Sequence, residues 1–290
     1  SRTTERLADL YYVLGHVDDA DRLYRQARRA NTDPLVDVQL MRKIGTAQER
    51  RGHGVSAIRW LRRAARRTSD GPGSADWLSA SAQVSLAEAA VRARENDDHV
   101  CIRLAESALQ AAEAASDPLA RALALERMHL GMVGLARADS GSVGEQALEA
   151  HRANRDLSGA ARTLINLGVG AYYESRWTEA AQDYVEAIDA AERAGSVVLR
   201  AGAALNSAEI LCDQGHWSRS LSFFDDAIRN YEAVGYPVGI AAARLYSAVA
   251  AMRLGDASAA SVHLESARSS ITRLGLDLVD DLESRALELA

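Results

Sequence analysis

One spacing recurs from end to end of this 290-residue chain. Leu7, Tyr11, Gly15, Ala20, Tyr24 and Ala27 set it out first. It returns as Ile44, Gly52, Ala57, Leu61 and Ala64, and most fully as Leu167, Ala171, Ser175, Trp177, Ala180, Tyr184 and Ala187. Further copies run through Leu211, Gly215, Trp217, Ser220, Phe224 and Ala227, and through Ala251, Gly255, Ala260, Leu264 and Ala267. Weaker ones pass through Cys101, Ala105 and Ala108 and through Ala147. The last small residue of each copy falls at 27, 64, 108, 147, 187, 227 and 267, in steps of 37, 44, 39, 40, 40 and 40. A period of this length means stacked units, each burying its apolar face only against its neighbours.

Each copy reads as two antiparallel helices. The turn falls at Leu14-Gly15-His16, Arg51-Gly52-His53, Gln214-Gly215-His216 and Leu254-Gly255-Asp256, where glycine can take the left-handed conformation that ends a helix. In the second helix a small, a large and a small residue stand at i, i+4 and i+7, which is one face. Tyr24, Leu61, Tyr184, Phe224 and Leu264 are the knobs of that face. Asp33-Pro34 and Asp117-Pro118 punctuate the joins between units, because proline cannot continue the helix before it.

This pattern resembles the tetratricopeptide repeat and covers essentially the whole chain. The resemblance implies an all-α fold, a right-handed superhelix (an α-solenoid) of seven helix pairs plus a C-terminal helix over 277–289. Residues 1–290 then form one solenoid. The Asp70-Gly-Pro-Gly-Ser74 stretch is the candidate break, separating 1–69 from 75–290. Asp139-Ser-Gly-Ser-Val-Gly144 replaces the usual turn and the start of the fourth repeat's second helix. That helix is expected to be short and its repeat the weakest. The succession from Asn166 to Leu289 is also similar to the C-terminal repeats of large actinobacterial regulators. Those join a cyclase-like or DNA-binding domain to a signal-transduction ATPase and a tetratricopeptide array. That likeness implies a regulatory arm rather than an enzyme.

Composition agrees with a helical fold. About one residue in five is alanine, the best helix former, and there are only 4 prolines. Lys43 is the sole lysine. The longest small-and-apolar stretch, Val238 to Leu254, is interrupted by Arg244 and Arg253, so no membrane span is expected and the cytoplasm is the expected location. Cys101 and Cys212 stand far apart without metal or redox spacing. Cys101 holds a packing position; Cys212 lies on a first helix, where it can face the groove.

Catalytic motifs are missing. There is no phosphate loop, no strand before Gly168-Val-Gly170, no GxSxG elbow and no HExxH pair. No catalytic residue, metal ligand or cofactor is expected, and the chain is read as non-catalytic. Residues 1–72 carry 15 basic and 9 acidic residues, against 19 and 31 in the remainder. Arg59, Arg62, Arg63, Arg66 and Arg67 share one broad helix face. The acidic whole disfavours nucleic acid, leaving a solvated face or a contact to an acidic neighbour.

Binding is expected in the concave groove that first helices line in resembling arrays. One equivalent position reads Arg6, Lys43, Ala87, Glu126, Asn166, Asn206 and Tyr246; one turn away stand Tyr173, Glu209, Asp213, Val249 and Arg253. The candidate contacts are Glu126, Asn166, Tyr173, Asn206, Glu209, Asp213, Tyr246 and Arg253. Two asparagines at a 40-residue step can hold the backbone of an extended peptide or cross-brace neighbouring helices. The leading reading is a peptide- or protein-binding regulatory module of a larger signalling or transcription-regulating protein. Its partner is a peptide, a protein or the parent's other domains. The alternative is a stand-alone small-ligand or signalling-peptide receptor that changes superhelical pitch on binding.

Overall fold

The computed structural model describes residues 2–274. Among the described residues every regular element is an α-helix, and there are 14. They alternate as first and second helices of seven pairs: α1 (Arg2–Val13) with α2 (Val17–Arg29), α3 (Pro34–Arg50) with α4 (Gly54–Ser69), α5 (Ala75–Arg94) with α6 (Asp98–Ala115), and α7 (Pro118–Gly134) with α8 (Ser140–Ala153). Then follow α9 (Leu157–Tyr173) with α10 (Trp177–Arg193), α11 (Val197–Asp213) with α12 (Trp217–Ala233), and α13 (Pro237–Arg253) with α14 (Ala257–Leu274). The helix expected over 277–289 lies outside the described residues. The fold is that of tetratricopeptide-like helical repeats.

The chain divides into two compact units, Ser1–Arg155 and Asp156–Ala290. The first holds four pairs and the second three. The division therefore does not fall at 70–74. Across that stretch α4 packs directly on α5, and the Trp77 ring closes over Gly71, where a Cβ would stand 2.2 Å from it.

Local chemistry explains the boundaries. The turn glycines Gly15, Gly52, Gly215 and Gly255 all have φ near +80°. Where repeats three, four and five lack that glycine, Asn96, Ala136 and Ser175 adopt positive φ in its place. At the joins Asp33 accepts from the Leu35 and Val36 amides, and Asp117 from the Ala120 amide. Both caps satisfy donors that the helix start leaves open.

The core follows the small–large–small face. Sixteen residues before each clear knob stands a small residue of the paired first helix: Ala8 for Tyr24, Gly45 for Leu61, Gly168 for Tyr184 and Ala208 for Phe224. All four knobs are buried. Repeat four inverts this order, with Met128 where the small residue belongs and Gly144 in the knob position. Helix α8 is 14 residues long, against 13 in α2 and 16 to 18 in α4, α6, α10, α12 and α14. Contrary to expectation, its start is not displaced, since Ser140 to Gly144 form its first turns.

Both thiols are buried. Cys212 does not face a groove; it packs with Phe224 and Tyr231. Burial pushes the Cys101 thiol up to about 11, and it also raises Cys212. A raised thiol pKa leaves little thiolate at pH 8, and the thiolate is the reactive form. Native protein at pH 8 should therefore show no fast phase with Ellman's reagent, and two thiols per chain should react in urea. A stoichiometric fast phase in native protein contradicts this.

Candidate functional site

In the second unit the first helices α9, α11 and α13 lie side by side, α9 against α11 and α11 against α13. Residues at i, i+3 and i+7 share a helix face. That face carries Asn166, Val169 and Tyr173 on α9; Asn206, Glu209 and Asp213 on α11; and Tyr246, Val249 and Arg253 on α13. Seven of the eight expected contact residues thus stand in register on three neighbouring helices.

Their surroundings differ. Tyr184, from α10, is 2 % exposed, and its ring lies over Gly168. The Asn206 side chain lies against the Tyr184 hydroxyl. Burial first, then the negative charge of Glu209, holds that hydroxyl well above its ordinary pKa, and Asn206 partly opposes them. Tyr246 stacks on the buried Phe224 of α12, with centroids 5.7 Å apart and planes at 21°. Each therefore braces the aromatic knob of the preceding repeat. Asn166, on the first helix of this unit, differs. Its half-buried amide makes no side-chain hydrogen bond among the described residues. It keeps two donors and an acceptor for an incoming group.

Around it the face is polar at one end and aromatic at the other. Tyr172 donates to the Asp213 carboxylate and meets Tyr173 edge-on at 5.6 Å. Tyr173 is 60 % exposed, and Arg253 is exposed. Tyr172 was not among the expected residues. The signal was the adjacent tyrosine pair, because one step around the helix (~100°) turns one of the two toward α11.

The first unit closes the same positions on themselves. Lys43 reaches Glu5 at 2.7 Å and Asp9 at 2.8 Å, and Asp9 accepts from Tyr24 at 2.8 Å. Lys43 also lies 5.7 Å from the Tyr24 ring centre, repeating the contact of Asn206 with Tyr184. Glu126 leaves the proposed contact set. It is 1 % exposed in α7, with Oε2 3.1 Å from Nε2 of the fully buried His151. Among the described residues no three His, Cys, Asp or Glu side chains gather as metal ligands would, and no helix is long and apolar enough to cross a membrane.

The fold and this face define a class, helical-repeat proteins with a first-helix surface open in the second unit. No family model matches the chain, and no curated protein matches it in sequence. Solved structures do. The Rap conjugation gene regulator of plasmid pLS20, in complex with the Phr* peptide, superposes with a TM-score of 0.75 at 13 % identity, covering 96 % of this chain and 74 % of that one. NprR in complex with its cognate peptide NprX gives 0.64 at 12 %, over 99 % and 82 %. A signal transduction ATPase with a tetratricopeptide repeat sensor, from Pyrococcus horikoshii, gives 0.62 at 14 %, over 98 % and 44 %. At such identities the likeness is one of fold.

Proposed function

We propose that the chain is a non-catalytic regulatory module that binds a short extended peptide on the first-helix face of its second unit, as the sensing arm of a larger signalling or transcription-regulating protein. The observation that carries this reading is the Asn166 amide, half-buried and without a hydrogen-bond partner among the described residues, on a face that also presents Tyr173 and Arg253. An amide so placed can take both the carbonyl and the N–H of a peptide backbone. Asn206 and Tyr246 hold the helices that frame it. The peptides bound by the Rap regulator and by NprR support the reading.

The test is to pan random displayed heptapeptides on the whole chain and titrate the enriched peptide calorimetrically. Asn166→Ala should weaken it about tenfold, the loss of one or two neutral hydrogen bonds. Tyr173→Ala should add to that loss, and both variants should melt as the wild type does. An enriched peptide that binds both variants unchanged, or no enrichment at all, overturns the proposal.

A further inference from the structure

Helix α4 is the exception among the second helices. It carries Arg59, Arg62, Arg63, Arg66 and Arg67 and no carboxylate, whereas α2, α6, α8, α10, α12 and α14 all contain Asp or Glu. On other second helices several arginines are neutralised by a carboxylate of the same helix: Arg25 by Asp21, Arg193 by Asp189, Arg229 by Asp226. On α4 all five are exposed. Only Arg62 has an acidic partner, Glu88 at 3.3 Å; among the described residues no carboxylate pairs with Arg59, Arg63, Arg66 or Arg67. The like charges stand four apart at 59/63, 62/66 and 63/67, a spacing that destabilises a helix.

Compensation of the helix C-terminus accounts for Arg66 and Arg67, but not for Arg59, Arg62 and Arg63, which stand earlier. The half-buried Trp60 is the floor between α2 and α4, with the guanidinium carbons of Arg25, Arg28 and Arg63 at 5.1, 5.3 and 5.9 Å from its ring centre. Arg67 and Arg29 border a cleft of about 290 Å³ whose other side carries Asp33 and Asp37.

We propose that this arginine face docks an acidic helix of a partner protein, with carboxylates one and two turns apart. The guanidinium fork matches a carboxylate with two parallel hydrogen bonds. Arg59 to Arg67 spans about 12 Å at 1.5 Å per residue. That is about two turns of a partner helix's side-chain ladder but well under half of the ~34 Å turn of a DNA duplex. This surface is independent of the face on α9, α11 and α13.

The probe is a fluorescein-labelled helical peptide with glutamates at i, i+4, i+7 and i+11, compared with its all-glutamine counterpart and with a labelled DNA duplex of two turns. Binding to the whole chain is read by anisotropy at low and raised salt. The glutamate peptide should bind, and its glutamine counterpart should not. An Arg59→Gln/Arg63→Gln/Arg66→Gln/Arg67→Gln variant should bind it at least about tenfold more weakly, since four exposed pairs each contribute a few-fold. Melting of that variant should be no lower than wild type, because repulsion is relieved. Tighter binding of the duplex, lost in the variant, overturns the proposal in favour of nucleic acid. Absence of peptide binding, or binding that the variant or the glutamine peptide retains, overturns it outright.

Discussion

Replacing Gly168 by alanine should destabilise the second unit by about 2 kcal/mol, the cost of overpacking a close contact, even though alanine is the better helix former by ~1 kcal/mol. Geometry decides the sign. A Cβ at 168 would lie 2.4 Å from Cε1 of Tyr184, 2.8 Å from Cδ1 and 2.9 Å from Cζ. The ring has little freedom to retreat, being 2 % exposed. Leucine at 168 should cost about 3 kcal/mol or more. Gly202 is the control. It too is inside a helix, α11, but a Cβ there meets only the Tyr231 hydroxyl at 3.5 Å. Gly202→Ala should therefore stabilise the chain by roughly 0.5–1 kcal/mol. Urea midpoints by circular dichroism should move in opposite directions for these two glycine-to-alanine changes. Equal shifts would show that the knob of α10 does not determine how closely α9 approaches.

The same contact shows what was legible in the sequence. Repetition gave the helix pairs, the turns at Gly15, Gly52, Gly215 and Gly255, and the knobs, because each rests on local periodicity or one residue's backbone freedom. It gave the register of Asn166, Asn206 and Tyr246 for the same reason. Periodicity does not reveal what a side chain meets on the next helix. Asn206 and Tyr246 are tied to Tyr184 and Phe224, and that depends on which knob precedes each. Repeat four went furthest astray. Its glycines read as an interrupted helix start, yet Ser140 to Gly144 are helical, since helix geometry tolerates glycine when neighbours hold it. At Gly71 the Gly-Pro-Gly run reads as a linker, and the sequence does not reveal that Trp77 covers it.

Glu126 is where the register argument fails, and it carries the second large effect. Helix α6 offers only Ala105 in the knob position, so the residue at the equivalent place on α7 has no aromatic to brace. Glu126 is instead buried beside His151, while His129, one turn along α7 and also buried, meets the Ser140 carbonyl at 2.9 Å. All three polar side chains are buried. Removing one member of such a pair leaves a buried polar group and a void. Glu126→Ala should cost about 3 kcal/mol, and Glu126→Gln, which keeps the volume and a hydrogen-bonding oxygen, about 1 kcal/mol. His151→Ala should cost about as much as Glu126→Ala. The double variant should fall short of the sum of the two by about 1–2 kcal/mol, the coupling expected of groups in contact. Hydrogen exchange locates the effect: amides of α7 and α8 should lose protection in Glu126→Ala while those of α11 and α12 keep theirs, because each repeat leans only on its neighbours. Strictly additive single variants would mean that Glu126 and His151 do not support one another. A protection loss spread evenly over the chain would mean that repeat four is not where this fold opens first.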